Sequence, residues 1–144
     1  MGTRCLMRVF DGDEKLCAIY RHFDGYPEGH GRELADWIAQ LRLVNGYSSA
    51  STLRRNVMVN GAGRMAALIC SRFEENDVSI MPVDIVDCGQ EYEYWVKCPN
   101  IDFNEHLPDG KPIVVEAYSV RGKARLLERV TIPDKDDAQS KEPV

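Results

Sequence analysis

The chain has 144 residues, 44% of them hydrophobic and 28% charged, and it carries a formal net charge of −5. This composition is that of a soluble globular protein and excludes a disordered or collagen-like chain, while the length suits one domain and excludes a multi-domain enzyme. The acidic balance argues against general binding of duplex nucleic acid, because such binding depends on cationic contacts to phosphates.

The cysteines and the apolar segments indicate where the protein works. Five cysteines are present and no two form a CxxC pair, so the sequence offers no zinc-ribbon or thioredoxin-like motif. No segment approaches the ~20 apolar residues that cross a bilayer, and residues 1–8 lack the apolar run of a signal peptide. We therefore expect a cytoplasmic protein without membrane contact, whose thiols are free and mostly buried.

The first element predicted in chain order is a β-hairpin over residues 4–23. Residues 4–10 and 15–23 have strand-like composition, and Asp11-Gly12 between them is a strong hairpin signal. A two-residue loop pairs odd positions of the first strand with even positions of the second. Cys17 then lies on the face opposite to Cys5. The face expected to meet the core carries Cys5, Met7, Val9, Leu16, Ala18, Tyr20 and His22.

Two amphipathic helices are predicted next. The first runs from residues 30–33 to about residue 44 and ends at Gly46, which suits a left-handed cap. Its apolar stripe consists of Leu34, Trp37, Ile38, Leu41 and Val44. The second runs from about residue 61 to about residue 75, with Asn60 as its N-cap. Its stripe consists of Met65, Leu68, Ile69 and Phe73. Residues 47–59 between the helices fit a loop, a helical turn or a strand.

The second half of the chain is predicted to be β-structure. Residues 78–85 are apolar but contain Pro82, which places them at a sheet edge or in an irregular segment. Residues 113–120 and 125–132 form two further strands around a turn at 121–123. Residues 91–97 alternate, with the core face formed by Tyr92, Tyr94 and Val96 and the other face by Glu91, Glu93, Trp95 and Lys97.

These elements predict an α+β fold in the order ββααβββ(β). We expect a mostly antiparallel sheet of five to six strands with both amphipathic helices on one face. A single domain covers residues 1–133, and residues 134–144 form a charged tail that we expect to be mobile.

The segment over residues 20–33 concentrates polar and charged groups. It holds two of the three histidines together with two glutamates, an aspartate and two arginines. The stretches YRHFDGYPEGHG, NGAGRMAALI and CGQEYEY resemble a group of small bacterial and phage proteins, over roughly residues 16–96. The resemblance implies one domain and a bacterial or phage origin. That group has no established activity, so the resemblance implies no mechanism.

One interpretation of this segment is a metal site. His22, Asp24, His30 and Glu33 could together ligate a divalent cation in a small metal-dependent hydrolase. The spacing contains neither HExxH nor HxH, so it is not diagnostic. The competing interpretation makes His22 a half-buried hydrogen-bonding residue and His30 a loop residue near a helix start.

A second interpretation is an anion site at the helix entries. Residues 29–32 and 60–64 are glycine-rich and precede the two helices, whose free N–H groups attract anions. Arg32 or Arg64 could complete such a site, although neither segment is a Walker A motif. Glycine at a helix start can also be purely structural.

We therefore predict a non-catalytic binding protein, of phage or prophage origin, that sequesters a small nucleotide-like anion or blocks a host protein. No catalytic residue, metal or cofactor is assigned, and the alternatives are a metal-dependent hydrolase and a structural subunit of a homo-oligomer. The acidic residues of the strand 91–97 are expected near an arginine of segments 20–33 or 60–64. The predicted ligand-binding residues are His22, Asp24, Tyr26, His30, Arg32, Arg64 and Glu93.

Overall fold

The structure, a computed structural model, describes residues 2–46, 57–102 and 110–133. Within these residues it contains eight strands and two α-helices. The strands are β1 (Cys5–Asp11), β2 (Glu14–Arg21), β3 (Arg42–Val44), β4 (Met58–Asn60), β5 (Val78–Met81), β6 (Tyr92–Cys98), β7 (Val114–Arg121) and β8 (Leu126–Val130). The helices are α1 (Arg32–Ala39), which follows a π-helical turn at Pro27–Gly31, and α2 (Ala62–Arg72), which precedes a 3₁₀ turn at Glu74–Asn76.

Six of the strands form one sheet, in the order β5–β2–β1–β6–β7–β8. Neighbouring strands in it are antiparallel except for β1 and β6, which run parallel. The predicted α+β class, with a mostly antiparallel sheet and two helices, is confirmed, as is the edge position of the strand that begins at residue 78. The sequence pattern does not predict the separate parallel pair of β3 and β4. Residues 47–56 and the predicted tail, 134–144, lie outside the described residues.

A β-bulge in the first hairpin overturns the predicted register. The turn is the expected two-residue loop, because Asp11 pairs with Glu14. Farther along, Val9 pairs with Cys17, so Leu16 is an extra residue without a partner on β1. One extra residue exchanges the two faces of the rest of β2. The predicted core face of β2 is therefore wrong: Leu16 is 41% exposed, and the residues opposite Cys5, Met7 and Val9 are Arg21, Ile19 and Cys17.

The first helix is shorter than its apolar stripe predicts. It ends at Ala39, and residues 42–44 form β3 instead of a last helical turn. The backbone N–H of Arg42 donates to the carbonyl of Val57 at 2.8 Å, so strand pairing takes the place of the helical hydrogen bond. Leu41 and Val44 are still buried, which explains why the stripe extends beyond the helix. Gly46 does adopt a left-handed φ of 87°, but it follows a strand.

The second helix begins at Ala62 and ends at Arg72, and its stripe is confirmed by the burial of Met65, Ile69 and Phe73. The predicted N-cap is wrong. Gly61 occupies the cap position with a φ of 90°, and no side chain caps the helix. The side chain of Asn60 instead accepts a hydrogen bond from the backbone N–H of Gly46 at 2.7 Å. Asn60 therefore ties the β3–β4 pair together and does not start the helix.

The two faces of the six-stranded sheet have different surroundings. The helix-covered face carries Cys5, Met7, Val9, Tyr94 and Val96, and all of these are buried in one cluster with apolar residues of α1 and α2. The prediction that Tyr94 and Val96 face the core is confirmed. The open face carries Leu6, Arg8, Phe10, Glu93, Trp95 and Tyr118. Segment 82–91 covers part of the open face, because Ile85 and Gln90 hydrogen-bond to Arg8 and Glu93.

Candidate functional site

The segment over residues 20–33 folds inward onto the sheet. His30 is buried, and its ring stacks edge-to-face against Phe73 and Tyr94. Arg21, also buried, donates from Nη1 to Nδ1 of His30 at 2.6 Å and from Nε to the carbonyl of Phe23 at 2.6 Å. The interpretation of His30 as a loop residue near a helix start is therefore incomplete, because this histidine belongs to the core.

The hydrogen bonds of His30 define its protonation state. An arginine can only donate, so Nδ1 of His30 must accept, and the ring proton must lie on Nε2. Nε2 is 3.0 Å from the sulfur of Met7, which is a weak acceptor. Burial and the positive charge of Arg21 lower the pKa of His30 to about 3. The imidazole is therefore neutral and enclosed, which suits a structural role.

The glycines of this segment permit close packing. A Cβ on Gly31 would lie 2.9 Å from the ring of Tyr94, and a Cβ on Gly25 would lie 2.7 Å from the side chain of Cys5. The hydroxyl of Tyr94 donates to the carbonyl of Gly25 at 2.7 Å. Glycine is thus needed where the segment meets the helix-covered face, and this requirement explains its composition without a ligand.

The remaining predicted site residues of the segment lie at its outer surface. His22 accepts or donates a hydrogen bond with the hydroxyl of Tyr20 at 2.7 Å and is half-buried, as its structural interpretation predicts. Asp24 has a left-handed φ of 59°, and its carbonyl accepts the backbone N–H of His30. Tyr26 is exposed and packs over Gly29. The described residues contain no group of three or more His, Cys, Asp or Glu side chains that could hold a metal ion, so the proposed ligand set is not assembled.

The two arginines at the helix entries do not share a site. Arg32 lines a shallow groove with Trp37 and Arg72, the last residue of α2. Arg64 is near the other end of α2, eight residues from Arg72, or about 12 Å along a helix axis. The groove beside Arg32 also contains three carboxylates, those of Glu28, Glu33 and Asp36. Its charge is therefore unfavourable for an anion.

Glu93 lies on the open face, away from segment 20–33, and its arginine partner is Arg8. Nε of Arg8 donates to Oε1 of Glu93 at 2.6 Å, and Nη2 of Arg8 donates to Oε2 at 3.3 Å. Gln90 and Trp95 also donate to this carboxylate, at 3.0 and 3.1 Å. Although burial alone would raise the pKa of Glu93, these hydrogen bonds lower it, and the side chain is a carboxylate at neutral pH. The expected neighbours in segments 20–33 and 60–64 are not found there.

A cleft of about 270 Å³ opens beside this ion pair. It lies between the open face, segment 84–86 and β8. Its apolar wall consists of Ile85, Val86, Trp95 and Leu127, and its charged lining consists of Arg8, Lys15, Arg125, Asp84 and Glu93. Of the seven predicted site residues, Glu93 is the one that lines this cleft.

One donor of Arg8 is unused. Nε and Nη2 are both bonded, the latter also to the carbonyl of Ile85 at 2.6 Å. Nη1 is buried and has no hydrogen-bond partner among the described residues. A buried donor without an acceptor costs about 1–3 kcal/mol, and more for a charged group. This unmet donor in the lining of a cleft is the feature that sequence reasoning misses. The sequence does contain one sign of it: a charged residue, Arg8, stands between Met7 and Val9 in an otherwise apolar strand.

Burial shifts the thiols away from their reactive form. All five cysteines are free, and Cys5 and Cys98 are buried. Burial raises the pKa of each of these two thiols to about 12. The other three are half-buried, and burial raises their pKa values as well. The thiolate is the reactive form, so burial keeps these groups mostly in the less reactive protonated form at neutral pH.

Comparisons of the chain with protein-family models, with curated proteins and with solved structures found no match. None of the helices in the described part of the chain has the length and apolar character needed to cross a membrane. Function is therefore inferred from the geometry of the open face.

Proposed function

We propose that the protein is a non-catalytic binding protein that holds a small anionic ligand in the cleft of the open face. The observation that carries this proposal is the buried Arg8, whose Nη1 has no acceptor among the described residues while the rest of the guanidinium is fixed by Glu93 and Ile85. A ligand oxygen at Nη1 would remove the cost of the unmet donor. The role is binding, because the ion pair and its hydrogen bonds hold the polar groups in place and engage both oxygens of Glu93.

The charge around the cleft supports an anionic ligand. Three cationic side chains and two carboxylates line it, and Asp87, which pairs with Arg125 just outside the lining, balances the third cation, so an anion would enter a site without net negative charge. Arg8 is 6% exposed and Glu93 is 3% exposed, so water screens this region weakly. Lys15 and Arg125 lie at the more accessible part of the lining and can attract an anion toward Arg8.

The proposal moves the predicted site from the helix entries to the sheet. Segment 20–33 packs closely against the sheet. The groove beside Arg32 contains more carboxylates than cations. The open-face cleft, in contrast, combines an unused donor, three cationic side chains and an apolar wall. This combination is typical of small-molecule sites, which have apolar walls and a few placed polar groups.

Calorimetric titration with octanoate, inorganic phosphate and adenosine monophosphate tests the proposal. We expect at least one of these anions to bind the wild-type protein, and Arg125→Gln or Lys15→Gln to weaken that binding at least fivefold. Arg64→Gln is the matched control, since it removes an arginine from the exposed surface of α2 outside the cleft. If none of the three anions binds, or if the cleft variants bind as tightly as the wild type, the proposal is wrong.

A further inference from the structure

We infer that the cleft of the open face takes a monocarboxylate with an apolar body, an inference that rests on the proposed function above. Three features of the cleft lead to this ligand class: its charge, the unused donor of Arg8 and the nature of its wall.

The charge of the cleft favours a singly charged ligand over a doubly charged one. Arg8 is paired with Glu93, and Arg125 is paired with Asp87 at 2.6 Å. The lining alone has an excess of one positive charge, and Asp87, just outside it, balances that excess. A phosphate dianion would bring two negative charges close to the buried carboxylate of Glu93, with too few cations to compensate them. A singly charged group fits this balance better than a nucleotide phosphate.

The unused donor, Nη1 of Arg8, favours a ligand with an oxygen acceptor. Nη1 of Arg8 carries two N–H groups, and neither has a partner among the described residues. A carboxylate oxygen can accept such a donor in a charge-assisted hydrogen bond, which is shorter and stronger than a neutral one. Because Nη1 is buried, the proposed contact includes a shift of the side chains that cover it.

The wall of the cleft favours a ligand with an apolar body. Val86 is 66% exposed and Leu127 is 38% exposed, so both present apolar surface to water beside the charged groups. Ile85 and Trp95 complete this wall. Burial of such surface by a ligand is favourable in proportion to its area. The volume of about 270 Å³ is near the lower end of the range for ligand sites, which limits the body to a short chain or a single ring.

Two neighbouring leucines of β8 provide a matched pair of variants. Leu127 lines the cleft, whereas Leu126 points to the other side of the sheet, opposite Arg121, and is 68% exposed. Leu127→Ser and Leu126→Ser make the same chemical change one residue apart, and neither removes a fully buried side chain. Their melting temperatures, measured first, establish whether both fold.

The experiment is a calorimetric titration of octanoate, acetate, inorganic phosphate and adenosine monophosphate into the wild type and these variants. We expect octanoate to bind at least tenfold more tightly than acetate or either phosphate compound. Leu127→Ser should weaken octanoate binding at least threefold, and Leu126→Ser should leave it unchanged.

The outcomes separate this inference from the proposed function. If a phosphate compound binds more tightly than octanoate and Arg125→Gln weakens it, the ligand class is wrong while the binding function stands. If octanoate binds equally well to Leu127→Ser and to the wild type, an apolar body in this cleft is excluded. If no probe binds at all, both the ligand class and the proposed function are overturned.

Discussion

Two arginines are buried on opposite faces of the sheet, and their surroundings differ. Arg21, on the helix-covered face, donates to a carbonyl and to the neutral ring of His30, and it lies 5.6 Å from the centre of the Phe73 ring. Arg8, on the open face, is paired with the carboxylate of Glu93. Within the described residues, no carboxylate forms an ion pair with Arg21.

The two surroundings suit different roles. Arg21 is 3% exposed and is held by the His30 ring and the Phe73 ring, which suits a structural role. Arg8 is neutralised by Glu93, and one of its donors has no partner in the described part of the chain and belongs to a side chain that lines a cleft. Burial of an arginine alone therefore does not indicate a site, and our proposal depends on the unmet donor and the neighbouring cleft together.

The largest change in the free energy of unfolding is expected from a substitution on the open face. Glu93→Gln keeps the shape of the side chain but leaves the charge of Arg8 buried without a counterion, so we expect the free energy of unfolding to fall by about 3–5 kcal/mol. Urea denaturation measures this change. The control is Glu91→Gln, an exposed neighbour whose loss should cost less than about 0.5 kcal/mol. The double variant Arg8→Met/Glu93→Gln should recover more than half of the loss, and no recovery would show that packing, not charge, holds this region.

On the helix-covered face, stability should depend on the volume of the buried side chains instead. Ile38 is buried between α1 and the sheet, so Ile38→Ala should lower the free energy of unfolding by about 2–5 kcal/mol. Leu16→Ala, at the exposed bulge of β2, should cost less than about 1 kcal/mol. Thermal or urea unfolding of both variants checks the pair. Equal losses at the two positions would contradict the assignment of the bulge.

His30 makes the helix-covered face sensitive to pH. Its pKa is about 3 in the folded chain against an ordinary value of 6.5, so the unfolded chain binds its proton first as the pH falls. The stability it contributes is complete above pH 6.5 and is lost as the pH falls toward 3. At about 1.4 kcal/mol per pH unit, the loss reaches roughly 2–3 kcal/mol between pH 6.5 and pH 4.5. Below pH 4.5, the ordinary pKa of a glutamate, Glu93 adds a second loss because its pKa is lowered.

Urea titrations at several pH values measure this dependence on the wild type and on two histidine variants. His30→Gln should remove the loss between pH 6.5 and pH 4.5, in addition to its own cost in stability. His22→Gln, in which the buried histidine is intact, should keep that loss. A pH dependence that survives in His30→Gln would mean that another group causes it.

The smallest changes in stability and in ligand binding are expected from substitutions at the helix entries. Arg32 is 4.0 Å from Asp36 in an exposed pair, and Arg64 is exposed, so replacing either by Gln should cost less than about 0.5 kcal/mol. Neither variant should change octanoate binding more than twofold. Calorimetry and melting temperature check both. A tenfold loss of phosphate binding in either variant would instead place the site at the helix entries and break the comparison between the two faces.

Local patterns predicted much of the fold. The loop after Asp11, the stripe of α2 and the alternation of β6 all depend on neighbours in sequence, and the structure confirms them. The bulge at Leu16 could not be predicted, because the sequence near the turn is compatible with both registers. The packing of β2 against α2 and β5 decides between them. For the same reason, the pairing of β3 with β4 overrides a helical stripe.

The site was harder to predict than the fold. Segment 20–33 has the composition of a site, but Gly31 and His30 pack closely against Tyr94, and Gly25 packs closely against Cys5. Strand alternation does place Arg8 on the face opposite to Met7. Its partner, Glu93, is 85 residues away, and no local pattern joins positions so distant. The unused donor follows from that pairing, so it could be found only in three dimensions.

The parallel pairing of β1 with β6 makes folding depend on a distant contact. The Arg8–Glu93 pair at this junction closes a loop of 85 residues, whereas the hairpin of β1 and β2 is local and can form early. At a synthesis rate of about 5–20 residues per second, roughly 4–17 s pass between the synthesis of the two strands. Throughout this interval, one edge of β1 lacks its partner and can pair with a strand of another chain. We therefore expect slow synthesis to favour aggregation through β1.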